Sequence, residues 1–226
     1  MRAGGRLKHV PVIRSSDYHD FVIKQGRFIG EFEQMYRQVA DPWHCVAEVG
    51  AFKNVLLLAA VTQARAEVTR ALDVGCGLGA LTARLRQAAP QAEWHACDVS
   101  RTAVDRAERD YPGIGFFVHD LGQIDRIPFE RGSLDLITMA EVVWYVLPHL
   151  AAILTRFFGL LRPGGHLMLL QYFLAPEQQQ YGKEIVAGPG ELIRLVAEAG
   201  FQIREQAYLG APPPQSLLLW GVKPAA

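Results

Sequence analysis

Apolar positions recur along this chain with two different periods. From about residue 70 onward, short apolar runs of strand length alternate with segments whose apolar residues fall at helical spacing. Ala71–Val74, Glu93–Cys97, Ile114–Val118, Leu134–Met139 and His166–Phe173 are predicted strands. Leu81, Leu85 and Ala88 mark one helix, Ala103, Val104 and Ala107 a second, and Leu150, Ile153, Leu154, Phe157 and Leu161 a third. The breaks are well marked. Pro90, Tyr111-Pro112-Gly113 and Arg162-Pro163-Gly164-Gly165 each end a segment, and Ser100 is placed to cap the second helix. Alternation of this kind builds βαβ units around a mainly parallel sheet with right-handed crossovers. The tail reads as a helix over Glu191–Ala199, a strand over Phe201–Tyr208, a turn at Pro212-Pro213-Pro214 and a strand over Ser216–Val222. That last connection is too short for a parallel crossover, so the final pair is predicted antiparallel.

The N-terminal part has a different character. Phe28, Ile29, Phe32, Met35, Tyr36 and Val39 form a helical stripe that Asp41-Pro42 terminates. Phe52, Val55, Leu56, Ala59 and Ala60 predict a second helix running to about Arg65. Residues 1–66 are therefore expected to form an arm and lid helices, with residues 67–226 as the ligand-binding domain. The helix over Phe28–Val39 is expected to cover the site or wall it.

Composition narrows the function. The 226 residues carry 23 Lys plus Arg and 23 Asp plus Glu, a formal net charge of zero. Phosphate backbones and anionic membranes demand clustered positive charge, so neither nucleic acid nor membrane is expected as a partner. Met1–Val10 carries Arg2, Arg6, Lys8 and His9 without an apolar core, which predicts no secretory signal, and no apolar run is long enough to span a bilayer. Three scattered cysteines, Cys45, Cys76 and Cys97, without a CxxC pair, suit a reducing, cytoplasmic setting. No His, Cys, Asp or Glu cluster has metal-ligand spacing, so no metal is expected.

The candidate chemistry begins at Asp73-Val74-Gly75-Cys76-Gly77-Leu78-Gly79, which closes the first strand. Alternate glycines let the backbone turn sharply and approach a ligand closely, and the next helix presents its N-terminus to the same space. Asp98, at the end of the second strand, can accept both hydrogen bonds of a ribose diol. A dinucleotide wants Gly-x-Gly-x-x-Gly, because its pyrophosphate sits on bare helix amides; here the third glycine arrives one residue early. An acidic residue in the loop also repels a pyrophosphate. It suits a ligand with a cationic amino group and no phosphate, such as S-adenosylmethionine.

Asp-x-Gly-x-Gly-x-Gly, Asp98, Asp120 after the third strand, and Leu161-Arg162-Pro163-Gly164-Gly165-His166 before the fifth together resemble the class I S-adenosylmethionine-dependent methyltransferases, over about residues 70–223. The resemblance implies a doubly wound, Rossmann-like α/β fold with a seven-stranded sheet of order 3-2-1-4-5-7-6, the last strand antiparallel. It further implies that Gly75, Cys76, Gly77 and Gly79 wall the methionine end of the cofactor. Asp73 would orient the loop or the cofactor's amino group. Asp98 would hold the ribose with Val99 on the adenine, and Asp120 the adenine amino group beside Leu121. S-adenosylhomocysteine would be the product.

Ligands of open α/β sheets lie beyond the carboxyl ends of the strands, so Met139–Tyr145, after the fourth, should face sulfonium and acceptor. Ala140-Glu141-Val142-x-x-Tyr145 and Asp41-Pro42-Trp43 resemble the nodulation-type N-methyltransferases, which act on an amino sugar. Glu141 is the candidate to hold an ammonium or remove its proton, with Tyr145, His149 and His44 as further catalytic candidates. Trp43 is placed to shield the cofactor and Lys53 to reach its carboxylate. The expected activity is methyl transfer to a small molecule, first to the nitrogen of an amine or amino sugar, by a monomer or homodimer. An O-methyltransferase of a secondary metabolite, a non-catalytic cofactor-binding protein of the same fold and a dinucleotide oxidoreductase are the alternatives.

Overall fold

The computed structural model describes residues 20–179, 181–210 and 215–225. The basic segment Met1–Val10 and the turn at Pro212-Pro213-Pro214 lie outside them. A two-stranded hairpin, β1 (Ile23–Lys24) and β2 (Arg27–Phe28), leads into helices α1 (Phe32–Gln38) and α2 (Phe52–Ala64). The sheet follows: β3 (Arg70–Val74), α3 (Ala80–Ala88), β4 (Glu93–Asp98), α4 (Arg101–Asp110), β5 (Gly115–Val118), β6 (Leu134–Ala140), α5 (Leu150–Leu160), β7 (Leu161–Phe173), α6 (Pro189–Glu198), β8 (Gln202–Leu209) and β9 (Gln215–Val222).

The seven sheet strands run in the order β5-β4-β3-β6-β7-β9-β8. Renumbered from the first sheet strand, that is the expected 3-2-1-4-5-7-6. All neighbours from β5 to β7 are parallel, and β9 lies antiparallel to both β7 and β8. The strands are apolar on both faces, as a doubly wound sheet requires. Ala71, Leu136, Met168 and Leu170 pack under Leu57 and Val61 of α2 and Leu85 of α3. Their neighbours Leu72, Ile137, Leu167 and Leu169 pack on the opposite face with Ile153, Leu154 and Phe157 of α5.

Three expectations change. The stripe over Phe28–Val39 is not one helix. Gly26 and Gly30 adopt φ of 72° and 75°, the chain reverses through the hairpin, and α1 begins only at Phe32. Of the two predicted lid helices, α2 belongs to the layer beneath the sheet, since Leu57, Ala60, Val61 and Ala64 are buried with the sheet core. Only α1 stands over the strand ends. The Arg162–Gly165 turn is also absorbed into β7, as a shift of register where Leu134 pairs with Leu161 and Leu136 with His166.

Candidate functional site

The carboxyl ends of β3, β4 and β6 open into a cavity of about 1120 Å³. Of the glycine turn expected to wall it, Gly75 borders the cavity, whereas Cys76, Gly77 and Gly79 do not. Gly75 has φ of 74°, and a Cβ there would lie 2.3 Å from Val142 Cγ2, so only glycine lets β3 pass the end of β6. Gly77 has φ of 54°, and a Cβ there would lie 2.8 Å from the Tyr36 hydroxyl. Tyr36 of α1 thus rests on the turn, in the cluster against which Trp43 packs. Burial, aided by the negative charge of Asp98, raises the Tyr36 pKa and keeps its hydroxyl protonated. Gly79 faces away from the cavity, onto Phe116 and Ala107.

Asp73 does not face the cavity. Its Oδ2 accepts from Thr82 Oγ1 and its Oδ1 from Thr138 Oγ1 at 2.7 Å, so it ties β3 to α3 and β6 from below. It is absent from the cavity wall, which leaves the loop-orienting role and removes the direct reach to a cofactor's amino group. Burial pushes its pKa up to about 6, against the pull of the two hydroxyl bonds.

Asp98 stands where β4 ends. Its Oδ2 accepts from Gly77 N at 2.9 Å and its Oδ1 from Ser100 N at 3.0 Å, so the strand end and the glycine turn brace each other. Burial raises its pKa, and the amides of Ser100, Gly77 and Val99 oppose that. Ser100 caps α4 as expected, its Oγ accepting from Ala103 N at 3.1 Å. Glu33 of α1 was not foreseen. It accepts from Ser100 Oγ at 2.7 Å, Thr102 N at 3.0 Å and Thr102 Oγ1 at 2.7 Å, pinning α1 to the start of α4.

Val99, Asp120, Leu121 and Gly122 line the far end of the cavity. Asp120 Oδ1 accepts from Gly122 N at 2.8 Å. His149 lies at this end too: its Nε2 is 3.6 Å from where a Cβ on Gly122 would sit. The cavity's other end carries Glu141, Lys53, Trp43 and Tyr145. Tyr145 packs edge-on to Phe32 at 5.3 Å between ring centres and lies 5.6 Å from Trp43. Phe28 and Tyr181 stack at 5.9 Å on the same wall. His44 is exposed, with φ of 53°, and does not border the cavity; the reversal after Trp43 turns it outward. The thiols of buried Cys97 and half-buried Cys76 have pKa values raised by desolvation, so they are packing groups rather than nucleophiles.

Glu141 departs most from its surroundings. It is a non-glycine residue at φ of 60°, a backbone conformation that costs on the order of 1–3 kcal/mol and clusters at functional sites. Its Oε1 accepts from Lys53 Nζ at 2.7 Å, and its Oε2 from Tyr172 N at 2.9 Å and Gln171 Nε2 at 3.1 Å. Gln171 in turn accepts from Val143 N at 3.0 Å through Oε1. Gln171 was missed by the sequence reading. A glutamine in the otherwise apolar stretch Leu167–Phe173 was the available signal, and it is buried there.

Residues 71–165 match the methyltransferase domain family. Nodulation protein S of Sinorhizobium fredii is 27% identical over 84% of this chain and 88% of its own length. The phthiotriol/phenolphthiotriol dimycocerosates methyltransferase 1 of Mycobacterium ulcerans is 26% identical over 53% of this chain, a stretch that spans only 44% of that protein. Among solved structures, the N-methyltransferase NodS of Bradyrhizobium japonicum bound to S-adenosyl-L-homocysteine superposes with a TM-score of 0.66 at 23% identity, covering 85% of this chain and 98% of that one.

Residues 71–165 carry a methyltransferase domain.

The features of the site suit S-adenosylmethionine. The cavity offers a nucleoside the Gly75 backbone, the Asp98 carboxylate and the apolar side chains of Val99 and Leu121. The described Lys and Arg side chains on the cavity wall are Lys24, which pairs with Asp20 at 3.3 Å, and Lys53. In the glycine turn the Gly77 amide is already given to Asp98 at 2.9 Å, so it is not free to hold a pyrophosphate. Among the described residues of the methyltransferase, no helix is long and apolar enough to cross a membrane, and no three His, Cys, Asp or Glu residues are grouped to hold a metal ion.

Proposed function

We propose that this methyltransferase acts on the nitrogen of a small amine, with an amino sugar as the first choice of acceptor. The observation that carries the reading is Glu141, a carboxylate locked in a strained backbone at the end of β6, among aromatic walls. Bound S-adenosylmethionine supplies a methyl group on a sulfonium sulfur. The chain's own residues bind, orient and exclude water, which is where most of the catalysis of an in-line displacement arises. Asp98 would hold the ribose hydroxyls, Val99, Asp120 and Leu121 the adenine end, and Gly75 and Ala140 the space around the sulfonium. Trp43 and Tyr145 would close the cavity from the α1 side. His149, beside Gly122, is better placed at the adenine end than at the acceptor.

An ammonium has no free electron pair, so it must lose a proton before attack. Glu141 would hold the amine and take up that proton. The nitrogen pair then forms the N–C bond as the C–S bond breaks, and the sulfur keeps its pair. Nodulation protein S resembles the chain over most of its length, and the structure named NodS is an N-methyltransferase, which supports a nitrogen acceptor. The test is transfer of a labelled methyl group into two panels, one of amines led by glucosamine and chitobiose diamine, one of the matching alcohols. Label in the amines, with kcat/KM lowered roughly 10²–10⁴-fold in Glu141→Gln, agrees with the reading. Label in the alcohols alone overturns it.

A further inference from the structure

Lys53 and Glu141 are the two groups expected to serve two different ligand charges, yet the structure pairs them with each other. Lys53 leaves the first turn of α2 and meets Oε1 of Glu141 at 2.7 Å, while Oε2 is held separately by Tyr172 N and Gln171. Both side chains keep about a third of their surface exposed, so the pair is not locked in a dry interior and is readily exchanged. Both border the cavity that Gly75 also lines. Val142, next to Glu141, touches Gly75 across that turn. Lys24, the other described lysine on the wall, already faces Asp20.

We propose that Lys53 is an exchangeable counterion that orders the binding of the two substrates. Without ligand it neutralises Glu141 and denies that carboxylate to a cation. When the cofactor's amino-acid carboxylate enters, Lys53 turns to it, and Oε1 of Glu141 becomes free for the acceptor's ammonium. Glu141 itself stays in place, because its other oxygen is fixed to β7. The cofactor half of this inference stands without the amine reading; the acceptor half rests on it.

The two halves are read separately by calorimetry on the full chain. S-adenosylhomocysteine carries the amino-acid carboxylate and 5′-methylthioadenosine lacks it. Glu141→Gln releases Lys53 and is expected to tighten S-adenosylhomocysteine several-fold, leaving methylthioadenosine unchanged. Lys53→Met is expected to weaken S-adenosylhomocysteine about tenfold, again without effect on methylthioadenosine, and Lys53→Arg to restore most of the loss. Equal effects on both nucleosides, or weaker S-adenosylhomocysteine binding in Glu141→Gln, overturn the exchange. In the acceptor arm, glucosamine is expected to bind the wild type at least tenfold more tightly with S-adenosylhomocysteine than with methylthioadenosine. It should bind Lys53→Met equally with either. Binding without that dependence in the wild type overturns the ordering alone. No glucosamine binding in any arm, with the nucleoside results as expected, overturns the amine reading and leaves the cofactor exchange standing.

Discussion

The Tyr36 hydroxyl lies 2.8 Å from the point a Cβ on Gly77 would occupy, so the N-terminal helix bears directly on the glycine turn. Gly77→Ala therefore meets two obstacles, a φ of 54° and the tyrosine. We expect a loss of about 1–3 kcal/mol in unfolding free energy, together with weaker S-adenosylhomocysteine binding. Adding Tyr36→Phe removes the contact but not the backbone strain. The double variant should recover part of the loss, read as a non-additive term in denaturant unfolding. Strict additivity would mean that the two residues do not touch.

Glu33 links α1 to α4 and should leave a mark on acid stability. Burial acts to raise its pKa, but hydrogen bonds from Ser100 and Thr102, with the charge of Arg37, bring it from 4.5 to about 2. A depressed folded value stabilises above the unfolded pKa and loses that effect as pH falls through the folded one. The stability advantage of wild type over Glu33→Gln should be constant above about pH 5 and shrink between pH 4.5 and 2. Urea midpoints measured across that range decide it; a constant difference down to pH 2 would contradict the assignment.

Asp73 has the opposite sign. Its folded pKa lies at about 6, above the ordinary 3.8, because burial outweighs the bonds from Thr82 and Thr138. A raised carboxylate favours the folded state most at low pH and loses that contribution as pH rises through the folded value. Relative to Asp73→Asn, wild type should lose stability between about pH 4 and 6, by at most about 3 kcal/mol. The two threonine hydroxyls can reorient to serve the amide, so the variant should fold. Identical pH profiles would contradict the raised pKa.

Asp98 braces the turn and stands at the expected ribose position. Asp98→Ala strands the Gly77 amide and removes a charged acceptor, which should raise the S-adenosylhomocysteine Kd roughly 10–100-fold. Asp98→Asn keeps an acceptor for Gly77 and should melt close to wild type while still binding weakly. An unchanged Kd in both variants would remove Asp98 from the ribose.

The sheet was legible because its information is local. Two-sided apolar runs mark buried strands, Ser100 sits before its helix, and the short last connection forces β9 antiparallel. The N-terminal hairpin was not legible. Periodicity alone reads Phe28–Val39 as continuous, while the positive φ at Gly30 is a tertiary outcome. The candidate site was legible as a set of residues but not as a set of bonds. Lys53 and Glu141 lie 88 positions apart, and Glu33 lies 67 from Ser100. Nothing in one sequence pairs them, so the carboxylate expected to be free is found bridged. His44 followed from its neighbour Trp43, but one left-handed residue turns it out of the cavity.

Every role proposed at the site requires a nucleoside sulfonium, not a dinucleotide, beside the Gly75–Gly79 turn. Calorimetric titration of the purified chain with S-adenosylhomocysteine and, separately, with NADH tests it most directly. Saturable one-to-one binding of S-adenosylhomocysteine and no heat from NADH is the predicted result. Saturable NADH binding, with none for S-adenosylhomocysteine, would contradict it.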